Sequence, residues 1–121
     1  MLKSIPSRIL KHTVTLNVCE SVDRYQSPTF VQQEIRHCVM QPTNETRRTT
    51  SNTEVVLRGL MFADAKRTLP VGYDFEAAKK ASEAAGYPLT LTFNGQEFTV
   101  FTVETLYDDE GFLHHYELGL I

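Results

Sequence analysis

Cysteine is scarce in this chain, with Cys19 and Cys38 as the whole complement. Their separation fits neither a metal-ligand spacing nor a redox motif, so both are expected to stay thiols in a reducing cytosol, as plain strand residues. An excess of basic charge is also missing. Twelve Lys and Arg against fifteen Asp and Glu give a net charge of −3, which excludes a general, composition-wide attraction to nucleic acid or an acidic membrane. No apolar run approaches the roughly 18 residues of a membrane span, and Met1–Lys11 lacks the continuous apolar stretch of a secretory signal. A soluble, intracellular protein is the expectation. The chain has no glycine-rich phosphate loop, no nucleophile elbow and no Cys/His pairing at a useful spacing, which argues against an enzyme. With 121 residues, 41% of them hydrophobic, it can bury one core and is too short for two ordinary domains.

What is present is β-structure. From Leu89 to Leu120 the sequence predicts two consecutive hairpins. In the first, Asn94-Gly95 separates LTLTF from QEFTVF, the residue pair that a type I′ turn favours because both central positions need φ > 0. Phe93 then faces Gln96, Leu91 faces Phe98 and Leu89 faces Val100, which puts the apolar side chains of both strands on one face. The second turn reads Asp108-Asp109-Glu110-Gly111, with Tyr107 opposite Phe112, Val103 opposite Tyr116 and Phe101 opposite Leu118. The shared strand changes parity between Val100 and Phe101, which calls for a β-bulge or a corner, as in a sheet that rolls into a barrel. A coiled three-stranded meander follows.

Upstream, Met1–Lys11 reads as an arm or a single helical turn starting near Pro6. HTVTLNVC, residues 12–19, alternates Val14, Leu16 and Val18 against Thr13, Thr15 and Asn17, a strand with one buried face. VQQEIRHCVM predicts a longer, more polar strand with Val31, Ile35 and Val39 on one face. EVVLRGLMFAD, residues 54–64, has apolar residues on both faces, as in a strand covered from both sides, with a bend at Gly59. Asp74–Ala85 is the one clear helix: Asp74 caps it, five alanines favour it, and Gly86 and Pro88 stop it. Its apolar stripe of Phe75, Ala78, Ser82 and Ala85 is narrow, so it is expected to pack weakly on the barrel or on a neighbouring subunit. The resulting fold class is all-β: a small six-stranded β-barrel with a C-terminal three-strand meander and one short helix, in a single domain over residues 1–121.

Metal and catalytic constellations fare poorly. His114 and His115 are adjacent on a strand, so their side chains are expected on opposite faces and unable to chelate one ion together, with His114 a half-buried core-edge residue. Asp108, Asp109 and Glu110 sit in a turn, where acidic residues serve geometry and solubility. No catalytic residue, metal ligand or cofactor is assigned. The one segment that asks for a functional reading runs from 42 to 53: twelve residues between two expected strands without an aliphatic anchor, expected as an extended mobile loop or hairpin tip. It holds Arg47 and Arg48, an adjacent basic pair that by itself reads as solvated loop charge and that a ring of subunits would multiply.

ILKHTVTLNV near the start, HCVMQPTNETRRTTSNTEVVL in the middle and FTVFTVETLYDDEGFLHHYELGLI at the end resemble the bacteriophage head-completion proteins, the head-tail connector or stopper family often labelled minor capsid proteins. The likeness covers most of the chain. It implies a small barrel assembled as a ring below the portal after DNA packaging, a component of the virion made in the host cytoplasm. The implied partners are the portal or adaptor protein, tail-side proteins, further copies of the chain in the ring, and double-stranded DNA passing through without sequence-specific contacts. In some members the corresponding loop points into the channel and helps retain the genome. By that resemblance the channel loop here comprises Thr43, Asn44, Glu45, Thr46, Arg47, Arg48, Thr49, Thr50, Ser51, Asn52 and Thr53, with the two arginines as its basic residues. The helix at 74–85 departs from the shortest relatives, which connect these strands more tightly. Two other readings stand beside this one: a tail-terminator or other tail-side joining protein, and a small OB-like nucleic-acid-binding barrel that stacks single strands on exposed aromatics.

Overall fold

The computed structural model describes residues 8–121, and the expected arm or helical turn at Met1–Lys11 lies mostly outside them. Strands β1 (His12–Val22), β2 (Pro28–Pro42), β3 (Thr46–Arg48), β4 (Glu54–Val56) and β5 (Gly59–Asp64) precede the helix α1 (Phe75–Ala84), and β6 (Thr90–Phe93), β7 (Gln96–Tyr107) and β8 (Leu113–Leu120) follow it. Six of the strands form a closed antiparallel barrel in the order β1-β2-β5-β8-β7-β6, while β3 and β4 pair only with each other. The seam that closes the barrel is short: β6 meets β1 through Thr15–Thr92, Leu16–Leu91 and Asn17–Thr90. No helix among the described residues is long and apolar enough to cross a membrane.

The interior follows from alternation. Val14 and Leu16 from β1, Ile35 and Cys38 from β2, Met61 from β5, Leu91 from β6, Phe98 and Val100 from β7, and Leu118 and Leu120 from β8 make the core. Cys19 and Cys38 are both free and fully buried, and burial pushes the Cys38 thiol up to about 12, far from the reactive thiolate. On β2 the expected face of Val31, Ile35 and Val39 is interrupted. His37 has φ 57° and is an extra residue in the ladder, since His12 pairs with Cys38 and Thr13 with Arg36. The bulge inverts parity beyond it, so Cys38 follows Ile35 into the core and Val39 is half-buried. Val31, on the near side of the bulge, keeps the parity of Ile35 and is nonetheless exposed. Thr68 holds the bulge in place, its hydroxyl donating to the His37 carbonyl at 2.6 Å and accepting from the Asp64 amide at 2.8 Å.

The first C-terminal hairpin has the expected register, Phe93 on Gln96 and Leu91 on Phe98, and its turn has φ of 51° at Asn94 and 76° at Gly95. Replacing Asn94-Gly95 with Val-Val is therefore expected to lower stability by at least about 2 kcal/mol, because β-branched residues resist that region, and chemical denaturation reads the loss. An unchanged midpoint would remove the role assigned to the turn.

The second hairpin differs from expectation. Val103 faces Leu118, Thr105 faces Tyr116 and Glu104 faces Glu117, a slip of two residues from the expected pairing. Its cause is the turn. Asp108 accepts from the Glu110 and Phe112 amides through Oδ1 (2.9 and 3.0 Å) and donates its own amide to the Phe112 carbonyl (2.8 Å), which pulls Phe112 into the loop. A further irregularity between Leu106 and Tyr107 completes the slip. Because the slip is even, the same side chains still face inward. The expected parity change is present, as a register shift between Val100 and Thr102 that leaves Phe101 unpaired.

Helix α1 begins where expected: Asp74 Oδ1 accepts from the Ala77 amide at 3.0 Å, and the chain leaves through Ala85 and a left-handed Gly86 with φ 92°. It is seated more firmly than its narrow stripe suggested. Phe75 is almost fully buried, with its ring centroid 5.0 Å from that of Tyr116, and Ser82 Oγ accepts the Cys19 amide at 3.1 Å. One aromatic anchor and one satisfied backbone donor compensate for the small alanine contacts.

Candidate functional site: the hairpin arm between β2 and β5

The segment expected as an extended mobile loop or hairpin tip is a hairpin arm that continues the β2–β5 ladder. Pro42 pairs with Gly59, the Thr43 amide donates to the Arg58 carbonyl at 3.2 Å, and the Leu57 amide donates to the Glu45 carbonyl at 2.8 Å. Thr46, Arg47 and Arg48 then pair with Val56, Val55 and Glu54. Asn44 is an exposed extra residue on the outgoing side, between Thr43 and Glu45. At the tip the Thr49 amide donates to the Thr53 carbonyl at 2.9 Å, Asn52 takes φ 64°, and the hydroxyls of Thr49, Ser51 and Thr53 form a chain, with Thr50 exposed at the turn. An all-polar sequence can hold this shape because its backbone and hydroxyl groups satisfy one another, with no need for an apolar anchor at the tip.

The two arginines have different surroundings. Arg48 is exposed and bonds Asn52 Oδ1 and Glu54 Oε1 within the arm, an arrangement worth little in water. Arg47 reaches across to the barrel wall. Its Nε bonds Glu45 Oε1 at 2.9 Å, Nη1 bonds Glu104 Oε1 at 2.6 Å, and Nη2 bonds Glu117 Oε1 at 3.3 Å. Glu104 and Glu117 oppose each other across β7 and β8, a like-charge pair that is unfavourable without a cation between its members. Arg47 is that cation, with only 21% of its side chain exposed. The hydrogen bond it donates to Glu45 and the charge of Glu104 hold its guanidinium above its ordinary range despite burial.

An apolar contact at the arm's base works beside this ion pair. Leu57, between β4 and β5, is fully buried against β8 at Gly119. A Cβ at Gly119 would stand 2.5 Å from Thr102 Oγ1 and 3.2 Å from Leu57 Cδ1, so β8 is bare here because the arm and the neighbouring strand fill the space. Leu57 and Arg47 together pin the arm to the outer face of β7 and β8. Sequence reading singled out Arg47 and missed Glu104, Glu117, Leu57 and Gly119, which form the other half of the contact.

The two adjacent histidines are closer than expected. His114 and His115 sit at the start of β8 with their Nδ1 atoms 2.8 Å apart, so strand alternation does not separate their rings. The irregular ladder between Leu106 and Tyr107, next to this strand end, relaxes the pleat that would have held them on opposite faces. Burial and then the neighbouring His114 push the His115 pKa below its ordinary value of 6.5. Among the described residues no three His, Cys, Asp or Glu side chains are grouped to hold a metal ion. The turn acids Asp108, Asp109 and Glu110 surround the tip of the β7–β8 hairpin, where Asp108 organises the backbone as described.

No family model, curated protein or solved structure matches the chain.

Proposed function

We propose that this protein is a structural, non-enzymatic component of a bacteriophage virion that joins the head to the tail as a ring around the DNA channel, with the β3–β4 arm as its gating element. The observation that carries the reading is a small closed barrel whose β2–β5 connection is an ordered arm pinned at Leu57 and Arg47, in the stretch whose sequence resembles the head-completion family. Beyond the backbone ladder at its base, the arm is held to the barrel wall by one apolar contact and one ion cluster, few enough side-chain contacts for a partner that offers better ones to draw it off the wall. Ring formation would multiply the arm by the symmetry of the assembly, and the portal or a tail-side protein would be that partner. The surplus carboxylates around Arg47 suit a conduit, because a lumen that gripped phosphate tightly would oppose DNA exit through many counterion-dependent contacts.

The test shortens Thr43–Thr53 to a Gly-containing turn in the phage or prophage that encodes the protein. Loop-closure entropy changes by only roughly 0.6 kcal/mol per doubling of length, so the main cost is the lost Arg47 contact, and the barrel is expected to fold. DNA-filled heads carrying the shortened protein are expected to expose their genome to nuclease. Full DNA retention by a folded, incorporated variant would overturn the gate, and normal tailed particles from a phage lacking the gene would overturn the joining role.

A further inference from the structure

On the outer wall of β1, β2 and β6, away from the arm, a groove of about 490 Å³ has an aromatic side and a floor of amides and hydroxyls. Phe30 and Tyr87 supply the aromatics, with ring centroids 5.7 Å apart and ring planes at 78°. Phe30 is 47% exposed, although nothing in its strand requires an aromatic facing water. The floor is a connected polar array. Asn17 Nδ2 donates to Thr90 Oγ1 at 3.2 Å and to Thr92 Oγ1 at 3.4 Å, and Asn17 Oδ1 accepts from Gln32 Nε2 at 3.3 Å. These bonds fix the orientation of the Asn17 amide. They leave each threonine hydroxyl its own proton to donate, and leave Gln32 its carbonyl and a second N–H.

We infer that this groove binds a neutral, hydroxyl-rich ring, a saccharide, laid against Phe30 and Tyr87 with its hydroxyls on Asn17, Gln32, Thr90 and Thr92. The volume lies in the range of small-molecule sites, about 300–1,000 Å³, in which a few placed polar groups fix orientation beside apolar walls. A sugar presents both kinds of surface: C–H groups on the ring face, which lie well on an aromatic, and vicinal hydroxyls, which both donate and accept. The array answers the second requirement with donors and acceptors side by side. Charge selects against the competing ligand. Among the described residues no Lys or Arg lines the groove, and Glu97 does, so a nucleic acid that could stack on the same aromatics would bring its phosphates to a carboxylate with no described cation to meet them. Glu97 is suited instead to accept from a pair of sugar hydroxyls.

The experiment titrates isotope-labelled protein separately with maltohexaose, cellohexaose, chitohexaose and mannohexaose, and with a thymidine oligonucleotide, following amide shifts by NMR. At least one saccharide is expected to move the Asn17, Gln32, Thr90 and Thr92 signals. Phe30→Ala and Gln32→Ala, both at exposed positions, are expected to weaken that binding by about tenfold each while the thermal melt stays unchanged. No response to any of the four saccharides overturns the inference, as does a response that both variants leave intact. Oligonucleotide binding in this groove without saccharide binding also overturns it and favours the single-strand-binding alternative.

Discussion

Leu57→Ala is expected to cost about 2–5 kcal/mol, the range for removing a fully buried leucine whose surroundings cannot collapse around the gap. The surroundings here are stiff. Gly119 has no side chain to move into the space, and Thr102 is β-branched, with its hydroxyl buried and without a hydrogen-bond partner. The loss should be uneven across the molecule. Amides of β3 and β4 are expected to exchange with deuterium much faster, because the base of the arm has lost its seat, while the β1–β2 ladder keeps its protection relative to global stability. Equal acceleration everywhere would show Leu57 to be an ordinary core residue with no particular tie to the arm. A loss confined to the arm with little change in the melt would mean that the arm opens independently of the barrel, as a gate must.

Arg47→Glu is the second large effect. The substitution removes three hydrogen bonds to carboxylates and sets a fourth carboxylate among Glu45, Glu104 and Glu117. The expected loss is about 2–3 kcal/mol, reduced by the partial exposure of Glu104, and it should shrink in high salt because the new repulsion is screened. Limited proteolysis provides the check, with new cleavage expected between Thr43 and Thr53. The double variant Glu104→Lys with Arg47→Glu restores an opposite-charge contact and is expected to recover part of the protection. If the single variant resists protease as well as the parent, the ion cluster does not hold the arm.

The same cluster shows what the sequence could and could not reveal. The Asn94-Gly95 hairpin was readable because its turn type is set by two residues and the alternating pattern on either side allows one register. The Val100–Phe101 parity change was readable for the same local reason. The second turn misled because Asp108 binds two amides and draws Phe112 into the loop, an arrangement a count of turn residues does not distinguish from a tighter one. That error hid the site: in the expected register Glu104 would face His115, whereas in the structure it faces Glu117 and the pair asks for a cation. The His37 bulge carried no signal, being held by Thr68 from a distant part of the chain. For the arm, low apolar content suggested mobility, and the contacts that order it lie 57 and 70 residues further on in β7 and β8.

The short seam between β6 and β1 bears on how the molecule is made. Asn17 and Thr92, which meet there, are 75 residues apart, so more than half of the chain must be gathered before this ladder can form. The β1–β2 and β6–β7 hairpins and the helix need only local encounters, whereas closure brings together the N-terminal and C-terminal halves for three residue pairs. Such a step forms late and is rewarded only by the burial that accompanies it. During synthesis, the edge of β1 therefore waits unpaired until β6 emerges. Thr13, Thr15 and Asn17 along that edge keep it polar during the wait, so Asn17, which later lines the proposed saccharide groove, first serves to keep a nascent edge from burying itself against the wrong neighbour.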